Sequence, residues 1–141
     1  MKDRFALERF VDAQDAGDTY AAALSELRAG RKRSHWMWFV FPQISGLGAS
    51  ATAHRYAIAS LDEARAYLAH PVLGARLVKC ARVLTELPDT DPVTIFGPID
   101  AQKLRSSMTL FHRADPGDPT FSAVLDRYFD GTTDAETDRR L

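Results

Sequence analysis

Gly97-Pro98-Ile99-Asp100-Ala101-Gln102-Lys103-Leu104-Arg105-Ser106-Ser107-Met108-Thr109-Leu110-Phe111-His112-Arg113-Ala114 is the stretch whose reading decides the fold. Gly97-Pro98 opens it, with proline suited to a first helical position. Asp115-Pro116-Gly117-Asp118 closes it with a strong turn signal. Between these marks the apolar residues Leu104, Met108 and Phe111 recur at helical spacing. On the helical projection Gln102, Arg105, Ser106, Thr109, His112 and Arg113 fall on the opposite side and read as the wet positions. Asp100, Lys103 and Ser107 do not fall with them. They lie on the same arc as Leu104 and Phe111, so an acid, a base and a hydroxyl point toward the interior. A buried charge is costly unless it is paired or used.

Outward from this helix the same periodicity recurs. It predicts helices over Arg4–Ala13 with Asp3 as cap, Thr19–Ala29 with Asp18 as N-cap and Gly30 at the C′ position, and Ala49–Ile58. Ser60 followed three residues later by Glu63 reads as a capping box opening Leu61–Ala69. His70-Pro71 breaks that helix, and Pro71 starts a long one ending near Leu87. A short segment from Asp91-Pro92 is closed by Gly97. A helix capped by Asp118-Pro119 is stopped by Gly131, and the tail from Asp134 adds a further turn. The only strand-like run is Met37–Phe41. The expectation is an all-α, compact single-domain bundle of about six or seven helices over residues 1–141, with a long aromatic loop after the second.

Composition excludes several classes. The 141 residues suit one domain. A net charge of −1 argues against a basic face for duplex nucleic acid. The single cysteine, Cys80, sits in an apolar helical pattern and reads as a core residue; one thiol forms no internal disulfide. The opening MKDRFALERF has no signal-peptide apolar region, and no run approaches the ~20 apolar residues of a membrane span. A cytoplasmic protein without a membrane segment is expected. His35, His54, His70 and His112 show no metal-ligand spacing, so neither a metal site nor a cofactor is expected.

The aromatic loop, Arg31 to about Ser50, holds both tryptophans, a proline and two glycines. As a ligand pocket it would take Trp36, Trp38 or Phe39 as apolar wall and His35, Gln43 and Ser50 as directed polar contacts. The backbone around Gly46 and Gly48 would allow close approach to a ligand or anion. As an anchor it would simply pack Trp38, Val40 and Phe41 into the core. The basic run Arg28, Arg31, Lys32, Arg33 beside aromatics also fits a single-strand nucleic-acid groove, but reads more simply as a solvated helix end.

These residues carry a resemblance. His35-Trp36-Met37-Trp38-Phe39-Val40-Phe41-Pro42-Gln43-Ile44-Ser45-Gly46-Leu47-Gly48, Ala69-His70-Pro71-Val72-Leu73-Gly74 and the block Phe96–Phe111 resemble an uncharacterised bacterial family often labelled "calpastatin". The resemblance implies a small all-helical domain of unknown function. The label implies little, since this composition makes a packed core rather than a disordered protease inhibitor. In size and in the order of its segments the chain is also similar to helical N-glycosidases that act on ADP-ribose and early riboflavin intermediates. That likeness implies Glu63 and Asp100 as acidic counterparts.

Two functions follow. One is a domain binding a nucleotide-like or glycosidic small molecule, extending to N-glycosidase-type hydrolysis. Its pocket would use Trp36, Trp38, Gln43, Ser50 and Ser107, with Lys103 holding an anion and Asp100 as general base or holding a ribose; the plainer reading is that Asp100 and Lys103 satisfy one another as an i, i+3 pair. The other is a protein-interaction module that presents the aromatic loop as a contact patch. The first requires the loop and the Asp100-Lys103-Ser107 stripe to face one another across a single cavity.

Overall fold

A computed structural model describes residues 3–141; the first two residues of the charged opening lie outside it. The helices are α1 (Glu8–Asp15), α2 (Thr19–Arg28), α3 (Met37–Val40), α4 (Ala51–Arg55), α5 (Leu61–Ala69), α6 (Leu73–Glu86), α7 (Pro92–Phe96), α8 (Pro98–Ala114), α9 (Pro119–Phe129) and α10 (Ala135–Arg139), with a 3-10 turn at Ala16–Asp18. The all-helical class holds. The described residues exceed six or seven helices because α3, α4, α7 and α10 are pieces of one turn or little more.

α8 is the axis of the bundle. It packs against α5, α7, α9 and α10 and also touches α3. Its inward residues Leu104, Met108, Leu110 and Phe111 are fully buried and join one apolar core with Phe10, Tyr67, Leu77 and Phe121. No helix of the described residues is long and apolar enough to cross a membrane. Cys80 lies in the core, as expected, and burial pushes its thiol up to about 12.

Helix starts follow their capping chemistry. Asp91, Asp118 and Asp134 accept from Val93, Thr120 and Thr137 amides, with Pro92 and Pro119 supplying the first helical residues. Ser60 Oγ accepts from the Glu63 amide as expected. The Glu63 side chain does not reach back to Ser60; it accepts from the Ala59 amide and from Arg9.

Several boundaries move. Asp3 does hold the chain start, accepting from the Leu7 and Glu8 amides. Ala6, however, takes a left-handed φ of 52°, so α1 begins only at Glu8. Asp18 is itself left-handed and makes no cap hydrogen bond to α2. Pro71 lies in a turn, and α6 starts at Leu73 because His70 Nδ1 accepts from the Val72 and Leu73 amides. The helix expected over Ala49–Ile58 shortens to Ala51–Arg55, since Ile58 leaves it for a parallel bridge with Ile44.

The stretch expected as one long loop is not continuous either. Its strand-like run Met37–Phe41 contains the helical turn α3, and Trp36, Met37, Val40, Phe41 and Pro42 are buried. Aromatic rings anchor it: Trp36 packs on Phe41 and Phe96, and Phe39 on Tyr56.

Candidate functional site

A cleft of about 440 Å³ lies between the α3 segment, α8 and the C-terminal turn. Trp38, Gln43 and Leu47 line one side, Ile99, Gln102, Lys103 and Ser106 come from α8, and Asp134 and Glu136 complete it. Part of the aromatic segment and part of the α8 stripe therefore do meet across one cavity.

Lys103 carries the contact between them. Its Nζ stands 4.2 Å from the centre of the Trp38 ring, over a face that attracts cations. Asp100, one helical turn back, holds that ammonium at 3.3 Å. Its other oxygen pairs with Lys32 Nζ at 2.9 Å. Lys32 is itself nearly buried, donates to the Ser34 carbonyl, and sits 5.0 Å from the Trp36 ring centre. A charged chain Lys32–Asp100–Lys103 thus runs from the core tryptophan to the cleft tryptophan. Asp100 does not line the cleft; it orients Lys103.

Glu26 fixes the start of that chain. The α2 carboxylate accepts from the Arg33 and Ser34 amides, from Ser34 Oγ and from Trp36 Nε1. Burial pushes the carboxyl up, but these hydrogen bonds together outweigh it and its pKa falls to about 2.

The C-terminal wall rests on Asp134. Its buried carboxylate accepts from Gln102 Nε2, Ser106 Oγ, Thr137 Oγ1 and the Thr137 amide, while its own amide donates to Thr109 Oγ1. Ser106 and Thr109 are therefore buried rather than wet. The projection of α8 alone omits the chain that folds back over that face.

Gln43 is held from behind. The Ile58 amide donates to its carbonyl, and the Ser45 amide donates to the Ile58 carbonyl, both at 2.8 Å. The residue is 6% exposed, yet its side-chain Nε2 has no hydrogen-bond partner among the described residues.

The other expected positions lie elsewhere. Trp36 is buried in the core on Glu26 and offers the cleft no wall. His35 is exposed and outside the cleft lining. Ser50 Oγ is occupied as the N-cap of α4, accepting from Ala53. Ser107 is fully buried and does not line the cleft. Gly46 and Gly48 border a void of about 10 Å³ that shares Trp38, Gln43 and Leu47 with the cleft. A Cβ at Gly48 would lie 2.9 Å from Trp38 Cη2 and 2.6 Å from Ala53 Cβ, so glycine there lets the indole seat. Glu63 is buried against Arg9, outside the cleft lining.

Sequence reasoning missed Leu47, Ile99, Gln102, Ser106, Asp134 and Glu136. Lys32 was read only as part of a basic run. No local signal reveals a residue whose partner is distant in the chain. No group of three or more metal-ligating side chains occurs among the described residues.

Residues 4–141 match the family described as a protein of unknown function, DUF1810. The chain belongs to the DUF1810 family. A solved structure of a conserved hypothetical protein from Mycobacterium tuberculosis is similar to it, with a TM-score of 0.95 and 50% identity over 99% of this chain and 98% of that one. No curated protein matches. The comparisons support an uncharacterised family. They support neither the calpastatin label nor a likeness to N-glycosidases, so that second resemblance is withdrawn. In this DUF1810 chain the site rests on its own geometry.

Proposed function

We propose that this chain binds a small nucleotide-like molecule in the cleft between α3 and α8. The observation that carries the reading is Lys103 held over the Trp38 ring by Asp100, in a cleft that Gln43, with its unpartnered Nε2, also lines. A flat apolar wall with a few directed polar groups is the usual make-up of a small-molecule site. About 440 Å³ falls in the usual size range of such sites. Trp38 would supply an apolar wall, and Lys103, which stands over that ring, would meet an anionic group.

Binding is favoured over glycoside hydrolysis by the state of the carboxylates. Asp100 lies between two lysines, Asp134 accepts four hydrogen bonds, and Glu136 pairs with Arg139 and Arg140. None is left over to activate water. An interaction module built on the aromatic segment has little apolar surface available, since seven of the nine residues from Trp36 to Ile44 are buried.

A thermal-shift screen with NAD, ADP-ribose, nucleotides and sugar phosphates tests the reading. A ligand at 100 times its Kd stabilises the fold by about 2.7 kcal/mol, roughly 8–11 °C for a chain of this size. Lys103→Met should abolish the shift while leaving the unliganded Tm within a few degrees. No shift with any of these compounds would contradict the proposal.

A further inference from the structure

A second groove, of about 790 Å³, runs along α6 beside the end of α2 and shares no lining residue with the α3–α8 cleft. The inner stripe of α6, Leu73, Leu77, Ala81 and Leu84, is fully buried in the core. A neighbouring stripe, Val78, Lys79, Arg82, Val83 and Glu86, recurs at helical spacing and faces the groove. Val78 and Val83 are half-buried and, with buried Leu87, give it an aliphatic floor. Arg28, Lys79 and Arg82 are exposed in its lining, against the single carboxylate of Glu86. None of these three cations forms an ion pair among the described residues. Arg76, one turn before Lys79 on the same helix, is by contrast held by Asp15 at 2.9 Å. The chain as a whole carries a charge of −1, so this concentration of positive charge is local.

We propose that the groove along α6 docks an acidic amphipathic helix of a partner protein. Charge complementarity sets the sign of the occupant: three unpaired cations ask for carboxylates. The aliphatic floor asks for apolar side chains between them, which is how a helix laid in a groove is held. Length agrees, since from Ala75 to Glu86 α6 rises roughly 16 Å, about three turns. No aromatic residue lines the groove, so it offers no platform on which a nucleic-acid base could stack. Glu86 marks one end, and the occupant's acidic positions therefore lie toward Arg28, Lys79 and Arg82.

The experiment is titration of the 15N-labelled full chain with a four-turn peptide that carries leucines along one helical face and glutamates on both flanks. A second peptide has lysine in place of every glutamate. The acidic peptide should shift the amides of Val78, Lys79, Arg82 and Val83 saturably and leave the α3–α8 cleft unmoved. The lysine peptide should bind ~10-fold or more weakly. The double variant Lys79→Glu/Arg82→Glu should weaken the acidic peptide ~10-fold or more and reverse the preference between the two peptides. Both positions are exposed and unpaired, so its Tm should stay within a few degrees. Should that variant fail to fold, the wild-type chain serves alone, and raising salt from about 0.05 to about 0.5 M should weaken the acidic peptide by a comparable factor. No shift at millimolar acidic peptide, shifts confined to other surfaces, or equal binding of the two peptides overturns the proposal. Shifts of the same amides by oligo-dT but not by the acidic peptide would overturn it in favour of nucleic acid.

Discussion

Replacing Glu26 by glutamine removes the charge that gathers Arg33, Ser34 and Trp36 onto α2, and the consequence is calculable. The native carboxyl titrates at about 2 against an ordinary value of 4.5. A drop of that size corresponds to roughly 3 kcal/mol of preference for the charged form. Glu26 is partly open to water, and screening reduces the expected contribution to roughly 1–2 kcal/mol. The sign follows from proton counting. Between about pH 2 and pH 4.5 the unfolded chain holds a proton on Glu26 that the native state does not. Stability therefore rises with pH through that window and is fully present above it. Urea unfolding of wild type and Glu26→Gln, followed by tryptophan fluorescence from pH 2 to pH 7, measures the effect. At pH 7 the variant's midpoint should lie roughly 0.5–1 M lower. The gap should close progressively below pH 4.5. A gap that stays constant from pH 2 to pH 7 would refute the assignment of this network to the Glu26 charge.

Other consequences are equally specific. Gly48→Ala puts a methyl within 2.9 Å of Trp38 Cη2 and should cost roughly 1–3 kcal/mol by overpacking, read as a lowered Tm with a shifted Trp38 environment. Asp134→Ala strips the C-terminal wall of four hydrogen bonds and should cost roughly 2–4 kcal/mol, with hydrogen exchange accelerated over residues 133–139 before the rest of the chain. Cys80, fully buried with its thiol pushed up to about 12, should stay unreactive to a disulfide reagent at pH 8 in the native protein and react fully in urea.

Local chemistry was legible in the sequence wherever neighbours decide the outcome. The Asp91, Asp118 and Ser60 caps and the core face of α8 at Leu104, Met108 and Phe111 are set by residues a turn apart. The meeting of Trp38 with Lys103 was legible too, because an inward lysine requires a partner and the aromatic segment offered one. What stayed hidden depends on contacts far along the chain. Ser106 and Thr109 look solvated until Asp134, 28 and 25 residues later, folds onto them. Trp36 looks like a pocket wall until Glu26 claims its indole nitrogen. Periodicity cannot distinguish an aromatic residue that lines a cleft from one that anchors its floor, and only Trp38 of the two does the former.

The two tryptophans allow the most direct test. In a uniformly 15N-labelled sample their indole Nε1–H groups give two resolved signals, one from the cleft and one from the Glu26 network. Titration with AMP should shift the Trp38 signal saturably and leave that of Trp36 nearly fixed. Backbone amides of Gln43 and Lys103 should move with Trp38. Both indole signals unchanged at millimolar AMP, ADP-ribose and NAD, or shifts confined to residues outside the α3–α8 cleft, would contradict a nucleotide-like ligand bound there.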